Sequence, residues 1–238
     1  MEETYQTYQL LALFGNLIPE GFRESVLQTI IDDIKMRNGH LNTGIIGTKY
    51  LWPVLVQAGQ NELAYQVATQ TTYPSFGYWL MNGSTTLLEE WSGANSHNHQ
   101  MFGSVSEYFY KFLAGIQSPM EGNTSKAYTH IYIEPHVPEK LEYVNSSVET
   151  VAGMIVSEWK KEGSSFNHLV TIPANSKATV ALPAIDPGLV TVYEGGTIIW
   201  EKNQPAGNVT GITEVKAVKD RVMVNIRSGT YSFRVEGK

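Results

Sequence analysis

The chain has 238 residues, a formal net charge of -6, a pI near 5.5 and no cysteine. These figures exclude a disulfide framework and a thiolate zinc site, and with no basic run longer than Lys160-Lys161 they argue against a nucleic-acid partner. No apolar run approaches the roughly 20 residues that cross a bilayer, so no membrane partner is expected. The acidic start Met-Glu-Glu lacks the basic and apolar parts of a secretory signal. The expected location is therefore cytoplasmic, with the periplasm left open if the true N-terminus is missing.

In chain order, Tyr5 to Phe14 is rich in Gln, Leu and Ala and stops at Gly15-Asn16, which predicts a short helix. Pro19 suits a first helical position, and Phe22, Val26, Leu27, Ile30, Ile31 and Ile34 form an apolar stripe at helical spacing up to Asn38-Gly39. Leu51, Leu55 and Ala58 predict a helix over Thr48 to Ala58, and Leu63 and Val67 another over Asn61 to Thr71, with Gly59 as the break. A further helix is predicted from Ser104 to Ile116, with Val105, Tyr108, Phe109, Phe112, Leu113 and Ile116 on one side. All of these helical segments precede about residue 118.

From Ser118 the apolar period falls to two, and Pro, Gly and Asn punctuate the chain. Strands are predicted around Ile131 and Ile133, Met154 to Trp159, Phe166 to Ile172 and Ala178 to Leu182. A hairpin is predicted at Glu194-Gly-Gly-Thr197, and a last pair, Val222 to Ile226 and Tyr231 to Val235, about Ser228-Gly229. Helices first and strands afterwards indicate two domains rather than one α/β sheet. The boundary is placed between about Gln117 and Tyr128, giving 1–120 as a partial α/α toroid of about three helical hairpins and 121–238 as an antiparallel β-sandwich.

The chemistry concentrates between Pro74 and Phe102. Aromatic faces beside carboxylates and polar loop residues are what a sugar needs, since sugars present C–H faces rimmed by hydroxyls. Glu89 and Glu90 are neighbours, so at most one of them points into a given pocket, and solvent exposure of both is the competing reading. Ser96-His-Asn-His99 is a weak metal signal without a third ligand nearby. Hydrogen bonding to a sugar hydroxyl or a carboxylate competes with a structural role for these histidines. Phe76, Tyr78, Trp79 and Trp91 read singly as core, and together with Gly77, Gly83 and Gly93 as a binding platform. The loop His40-Leu-Asn-Thr-Gly44 reads equally as a polar site loop and as a turn. No metal or cofactor is expected.

The ordered set His40-Leu-Asn-Thr-Gly-Ile-Ile-Gly-Thr-Lys-Tyr-Leu51, Pro74-Ser-Phe-Gly-Tyr78, Gly83-Ser-Thr-Thr-Leu-Leu-Glu-Glu-Trp91, Ser96-His-Asn-His99 and Phe102-Gly103 resembles the C-terminal part of bacterial α-L-rhamnosidases. The resemblance continues through Ala127-Tyr-Thr-His-Ile-Tyr-Ile-Glu-Pro135, Thr171-Ile-Pro-Ala-Asn175 and Ser228-Gly-Thr-Tyr-Ser-Phe233, and so covers nearly the whole chain. It implies the end of a catalytic (α/α)6 toroid followed by a C-terminal β-sandwich, and release of terminal α-linked L-rhamnose with inversion. By the family's Thr-Thr-x-x-Glu-x-Trp pattern, Glu89 takes the place of the general base that activates water. His99 takes that of an imidazole in the sugar pocket, with Tyr78, Trp79 and Trp91 as the substrate-binding aromatics. Leu88 stands where the family usually has Trp.

The family's general acid comes from an upstream motif rich in Asp, Arg and Glu that no segment of this chain resembles. An inverting site needs two carboxylates about 6.5 to 9.5 Å apart, so little or no turnover is expected of this chain alone. Its expected partner is a rhamnose-containing glycoside. Alternatives are an inactive fragment that self-associates or pairs with a chain supplying the missing helices, and a non-catalytic carbohydrate-binding protein.

Overall fold

A computed structural model describes residues 6–117, 128–184 and 186–237. The chain divides into two compact units, Met1–Tyr108 and Phe109–Lys238, and none of the described helices is long and apolar enough to cross a membrane.

The first unit holds α1 (Gln6–Phe14), α2 (Arg23–Met36), α3 (Gly47–Gln57), α4 (Asn61–Ala68), α5 (Phe76–Met81), a 3₁₀ turn (Gln100–Gly103) and α6 (Ser104–Tyr108). Its centre is α3, which packs against α1, α4 and α6. Leu51 to Val56 are all buried in succession, as expected of a helix with neighbours on several sides. Leu10 and Leu13 of α1 are buried, as are Ile30, Ile31 and Ile34 of α2, which packs against α1. The predicted stripe of α2 is thus covered at its C-terminal end, while Phe22 at the other end is exposed.

The predicted helix from Ser104 to Ile116 is shorter in the structure. Regular α-helix stops at Tyr108, the second unit opens with a π-helical turn (Phe109–Leu113), and Ile116 lies in a strand. Gly115 explains the break: it has φ of 79°, and a Cβ there would stand 2.3 Å from the backbone nitrogen of Pro135. The chain must leave the helix to make that approach, and only glycine fits it.

The strands of the second unit are β1 (Ile116–Gln117), β2 (His130–Ile133), β3 (Tyr143–Thr150), β4 (Gly153–Glu162), β5 (Ser165–Pro183), β6 (Val190–Glu194), β7 (Thr197–Glu201), β8 (Gln204–Pro205), β9 (Ile212–Val218) and β10 (Arg221–Gly237). Two of them are long and belong to both layers of a sandwich. Residues 177–183 of β5 pair with 221–227 of β10, and this layer adds β2, β1 and β9. Residues 165–172 of β5 pair with 229–236 of β10, and this layer adds β4, β3, β6, β7 and β8.

The hairpin predicted about Ser228-Gly229 is instead a bulge inside one strand, with the register shifting between Arg227 and Gly229. Inward residues are even-numbered before it (Val222, Val224, Ile226) and odd-numbered after it (Tyr231, Phe233, Val235). The change of parity keeps the buried face inward through the corner, where β5 passes residues 173–176 while β10 passes only residue 228. The separate strand predicted at Ala178 to Leu182 is likewise the second half of β5.

The hairpin at Glu194 to Thr197 is present, with Gly195 and Gly196 both at positive φ as a two-residue turn requires. The core is Ile131, Ile133, Ile155, Trp159, Val170, Val180, Leu182, Val192, Val224 and Phe233 with their neighbours. Two polar ties fix the entry to this unit. Trp159 Nε1 donates to the carbonyl of Leu113 at 2.7 Å, and Ser157 Oγ donates to that of Ala114 at 2.6 Å.

Candidate active site

The stretch from Ser75 to Phe102 folds as a short helix followed by a pinned loop. Ser75 caps α5, its Oγ accepting the Tyr78 N–H at 2.9 Å. Gly77 allows the helix to lie against the preceding chain, because a Cβ there would meet the Gln70 carbonyl oxygen at 2.3 Å. Phe76 and Trp79, three residues apart, turn inward together, while Leu80 and Met81 are exposed.

The loop then runs out and back in two facing arms. The Glu89 N–H donates to the Ser96 carbonyl and the His99 N–H to the Leu87 carbonyl, each at 2.9 Å. Thr86 Oγ1 adds a bond to the His97 carbonyl. At the tip the Gly93 N–H donates to the Glu90 carbonyl at 3.0 Å, and His97 Nε2 meets the Gly93 carbonyl at 2.9 Å. The Glu90 carboxylate accepts from Asn95 Nδ2 at 2.5 Å and from Ser92 Oγ at 3.2 Å. Glu90 and His97 are therefore fasteners of the tip.

Trp91 anchors the loop. Its ring stacks on Trp79 at 4.5 Å and 28° and meets Phe102 at 4.4 Å and Phe76 at 5.2 Å. Its Nε1 donates to the Thr43 carbonyl at 2.7 Å, and Trp79 Nε1 donates to the Trp91 carbonyl at 3.0 Å. Every indole N–H of the pair is thus used, as burial requires. Trp79 is 4% exposed and lies beneath Trp91, so it supports that ring rather than offering a face of its own. Tyr78 is half-buried and packs edge-on to Tyr73 at 5.4 Å. Leu88 is buried beside Gly93 and is a core residue of the loop.

Glu89 is half-buried, and its Oε2 accepts the Ser96 N–H at 3.2 Å. Main chain and side chain of Glu89 are both tied to Ser96, so the carboxylate is held by backbone geometry. Its other oxygen takes no hydrogen bond among the described residues. His99, also half-buried, presents an enclosed Nδ1 without a partner among those residues. A fixed carboxylate with a free oxygen can accept a proton from water, and an imidazole with unused nitrogens can bond a hydroxyl.

His40 is placed elsewhere in role. Its Nδ1 meets the Arg37 carbonyl at 2.7 Å and its Nε2 the Thr72 hydroxyl at 2.8 Å, which makes its loop a structural tie. Among the described residues no group of three His, Asp or Glu is placed to hold a metal ion. Two positioning elements had no signature in the sequence, the carbonyl of Thr43 and the main chain of Ser96. Both act through backbone atoms, which no residue pattern reports.

Residues 1–113 match the bacterial α-L-rhamnosidase 6-hairpin glycosidase domain, and residues 115–196 match the bacterial α-L-rhamnosidase C-terminal domain. The chain is 31% identical over 201 residues to an α-L-rhamnosidase of Streptomyces avermitilis, a match covering 80% of this chain and 19% of that protein. The structure of the α-L-rhamnosidase from Dictyoglumus thermophilum superposes with a TM-score of 0.86 at 36% identity, covering 99% of this chain and 26% of that one. The crystal structure of the S. avermitilis α-L-rhamnosidase complexed with L-rhamnose gives a TM-score of 0.82 at 28% identity, covering 97% of this chain and 21% of that one. The chain thus spans about a fifth to a quarter of the length of these relatives.

Proposed function

The chain belongs to the bacterial α-L-rhamnosidase family, and on that premise we propose that it supplies the general-base half of a glycoside hydrolase site that releases terminal α-linked L-rhamnose with inversion. The observation that carries the reading is the double tether of Glu89 to Ser96, which leaves one carboxylate oxygen free in a half-buried position. In this reading that oxygen takes the proton of the attacking water. The imidazole of His99 bonds a sugar hydroxyl, and the outer part of Trp91 with Tyr78 packs against the C–H faces of the ring. Trp79 acts from below by holding Trp91.

The second carboxylate, which protonates the leaving oxygen, comes from residues outside these 238 in the same reading, together with the hairpins that complete the toroid. The substrate class is a rhamnose-containing glycoside. L-Rhamnose carries a methyl group in place of a hydroxymethyl, which suits an aromatic wall.

The test is hydrolysis of an aryl α-L-rhamnoside by the chain alone and by a chimera joining it to the upstream hairpins of the S. avermitilis relative. Turnover is expected from the chimera and little or none from the chain alone. Glu89→Gln should lower the chimera's rate by about 10² to 10⁴-fold, the contribution of a general base, with an unchanged far-UV spectrum. Undiminished turnover in that variant would remove Glu89 from the mechanism.

A further inference from the structure

The second unit carries a groove that has no part in the loop of Glu89. It has a volume of about 580 Å³, in the range of small-ligand sites, and lies where the register of β10 shifts. Glu194 closes one side, Thr210 and Gly211 another, and Arg227, Gly229 and Tyr231 the third.

The floor is kept clear by glycine. Gly211 has φ of 93° and Gly229 φ of 143°, and a Cβ at 211 would fall 2.1 Å from the Tyr231 hydroxyl. Tyr231 itself is 5% exposed and forms the base of the groove rather than a protruding surface. Glycines at a bulge let backbone lie close to whatever fills the space.

Several polar groups above that floor are uncommitted, although the hydroxyls of Thr213 and Thr230 are hydrogen-bonded within the sheet. Of the five arginines in the chain, Arg37 and Arg234 are in ion pairs, and Arg23 and Arg221 donate to backbone carbonyls. The guanidinium of Arg227 makes no hydrogen bond or ion pair among the described residues, although the residue is exposed and lines the same groove as Glu194. Glu194 Oε1 accepts the Ser232 N–H at 3.3 Å, while its Oε2 has no partner among those residues. The hydroxyls of Thr210 and Ser228 are equally unengaged among them.

A donor fork and a carboxylate facing one groove without pairing to each other match a ligand that both accepts and donates. A hydroxyl pair does so, and an anion does not, since Glu194 would repel it in a chain already of net charge -6. We propose that this groove is a second saccharide-binding site, in which Arg227 donates to and Glu194 accepts from neighbouring hydroxyls of an uncharged sugar.

The experiment is amide-resolved NMR of the full chain titrated with an α-linked rhamnose disaccharide. The amides of Thr210, Gly211, Ser228 and Gly229 are expected to shift and saturate. Arg227→Ala and Glu194→Gln should each weaken that response at least tenfold. Gln at 194 keeps an oxygen for the Ser232 N–H, so the strand end is preserved. Glu89→Gln should leave the response unchanged, which separates this groove from the site proposed above. The proposal is overturned if these amides do not move, if the shifts survive both substitutions, or if inorganic phosphate reproduces them.

Discussion

Trp91 offers the sharpest test of how the loop is built. Trp91→Ala removes a ring that contacts Trp79, Phe102 and Phe76 and strips the Thr43 carbonyl of its donor. Burial loss for Trp→Ala in a core runs about 3 to 5 kcal/mol. Trp91 is only half-buried, which places the expected cost near the lower end, about 3 kcal/mol. Trp91→Phe keeps an aromatic against the cluster and loses only the N–H, so about 1 kcal/mol is expected from the lost hydrogen bond. Urea unfolding followed by far-UV ellipticity should rank the proteins wild type, then Phe, then Ala. Limited proteolysis should open the loop over 87–99 in the Ala variant first, because its two arms then lack their anchor. If Ala costs less than about 1 kcal/mol, the size of an ordinary surface substitution or a single bond, the loop is not held by this ring.

Three further outcomes bear on the second unit. Ser157→Ala leaves the Ala114 carbonyl without its donor and the buried His168 Nε2 without its partner, and should cost about 2 kcal/mol or more in urea unfolding. Gly115→Ala combines a positive φ with a backbone collision at Pro135; it should give poorly folded protein, whereas Gly163→Ala, with open space around it, should cost about 1 kcal/mol from φ alone. Burial pushes His168 down to about 3, and burial with the nearby Arg221 charge, partly offset by Asp220, pushes His136 down to about 4. The unfolded chain takes these protons near 6.5 while the folded chain refuses them, so stability present above 6.5 is lost as pH falls toward 4. Each site adds a slope of up to about 1.4 kcal/mol per pH unit, and His136→Gln should reduce the slope seen in urea titrations across that window.

Legibility in the sequence followed the strength of the local signal. Ile30, Ile31 and Ile34 announced α2, and the Gly-Gly pair announced the β6–β7 turn. Strands β1, β3, β8 and β9 escaped: β1 and β8 have only two residues each, Asn-Ser-Ser-Val-Glu-Thr in β3 has almost no apolar alternation, and β9 is mostly exposed. These strands are specified by the neighbours they pair with rather than by their own residues. Ser228-Gly229 misled for a different reason: the same residues that make a hairpin turn also make a bulge, and only the pairing partner decides. At the site, residue types singled out Glu89 and Glu90 equally, and the hydrogen bonds to Ser96, Ser92 and Asn95 distinguish them. The depth of Trp79 was unreadable because a helix of six residues has too few turns to display a face.

The membership of β5 and β10 in both layers has a consequence for how the second unit comes apart. A sandwich whose sheets share no strand can shed one sheet while the other persists for a time. Here the central ladder of each layer is a segment of the same two strands, joined through residues 173–176 and 228. Loosening either layer pulls on the backbone of the other, so amide exchange along 165–183 and 221–237 should proceed with one common opening free energy. The same sharing makes both layers wait on one long-range pairing, between strands about 40 or more residues apart in sequence, which favours slow, all-or-none assembly.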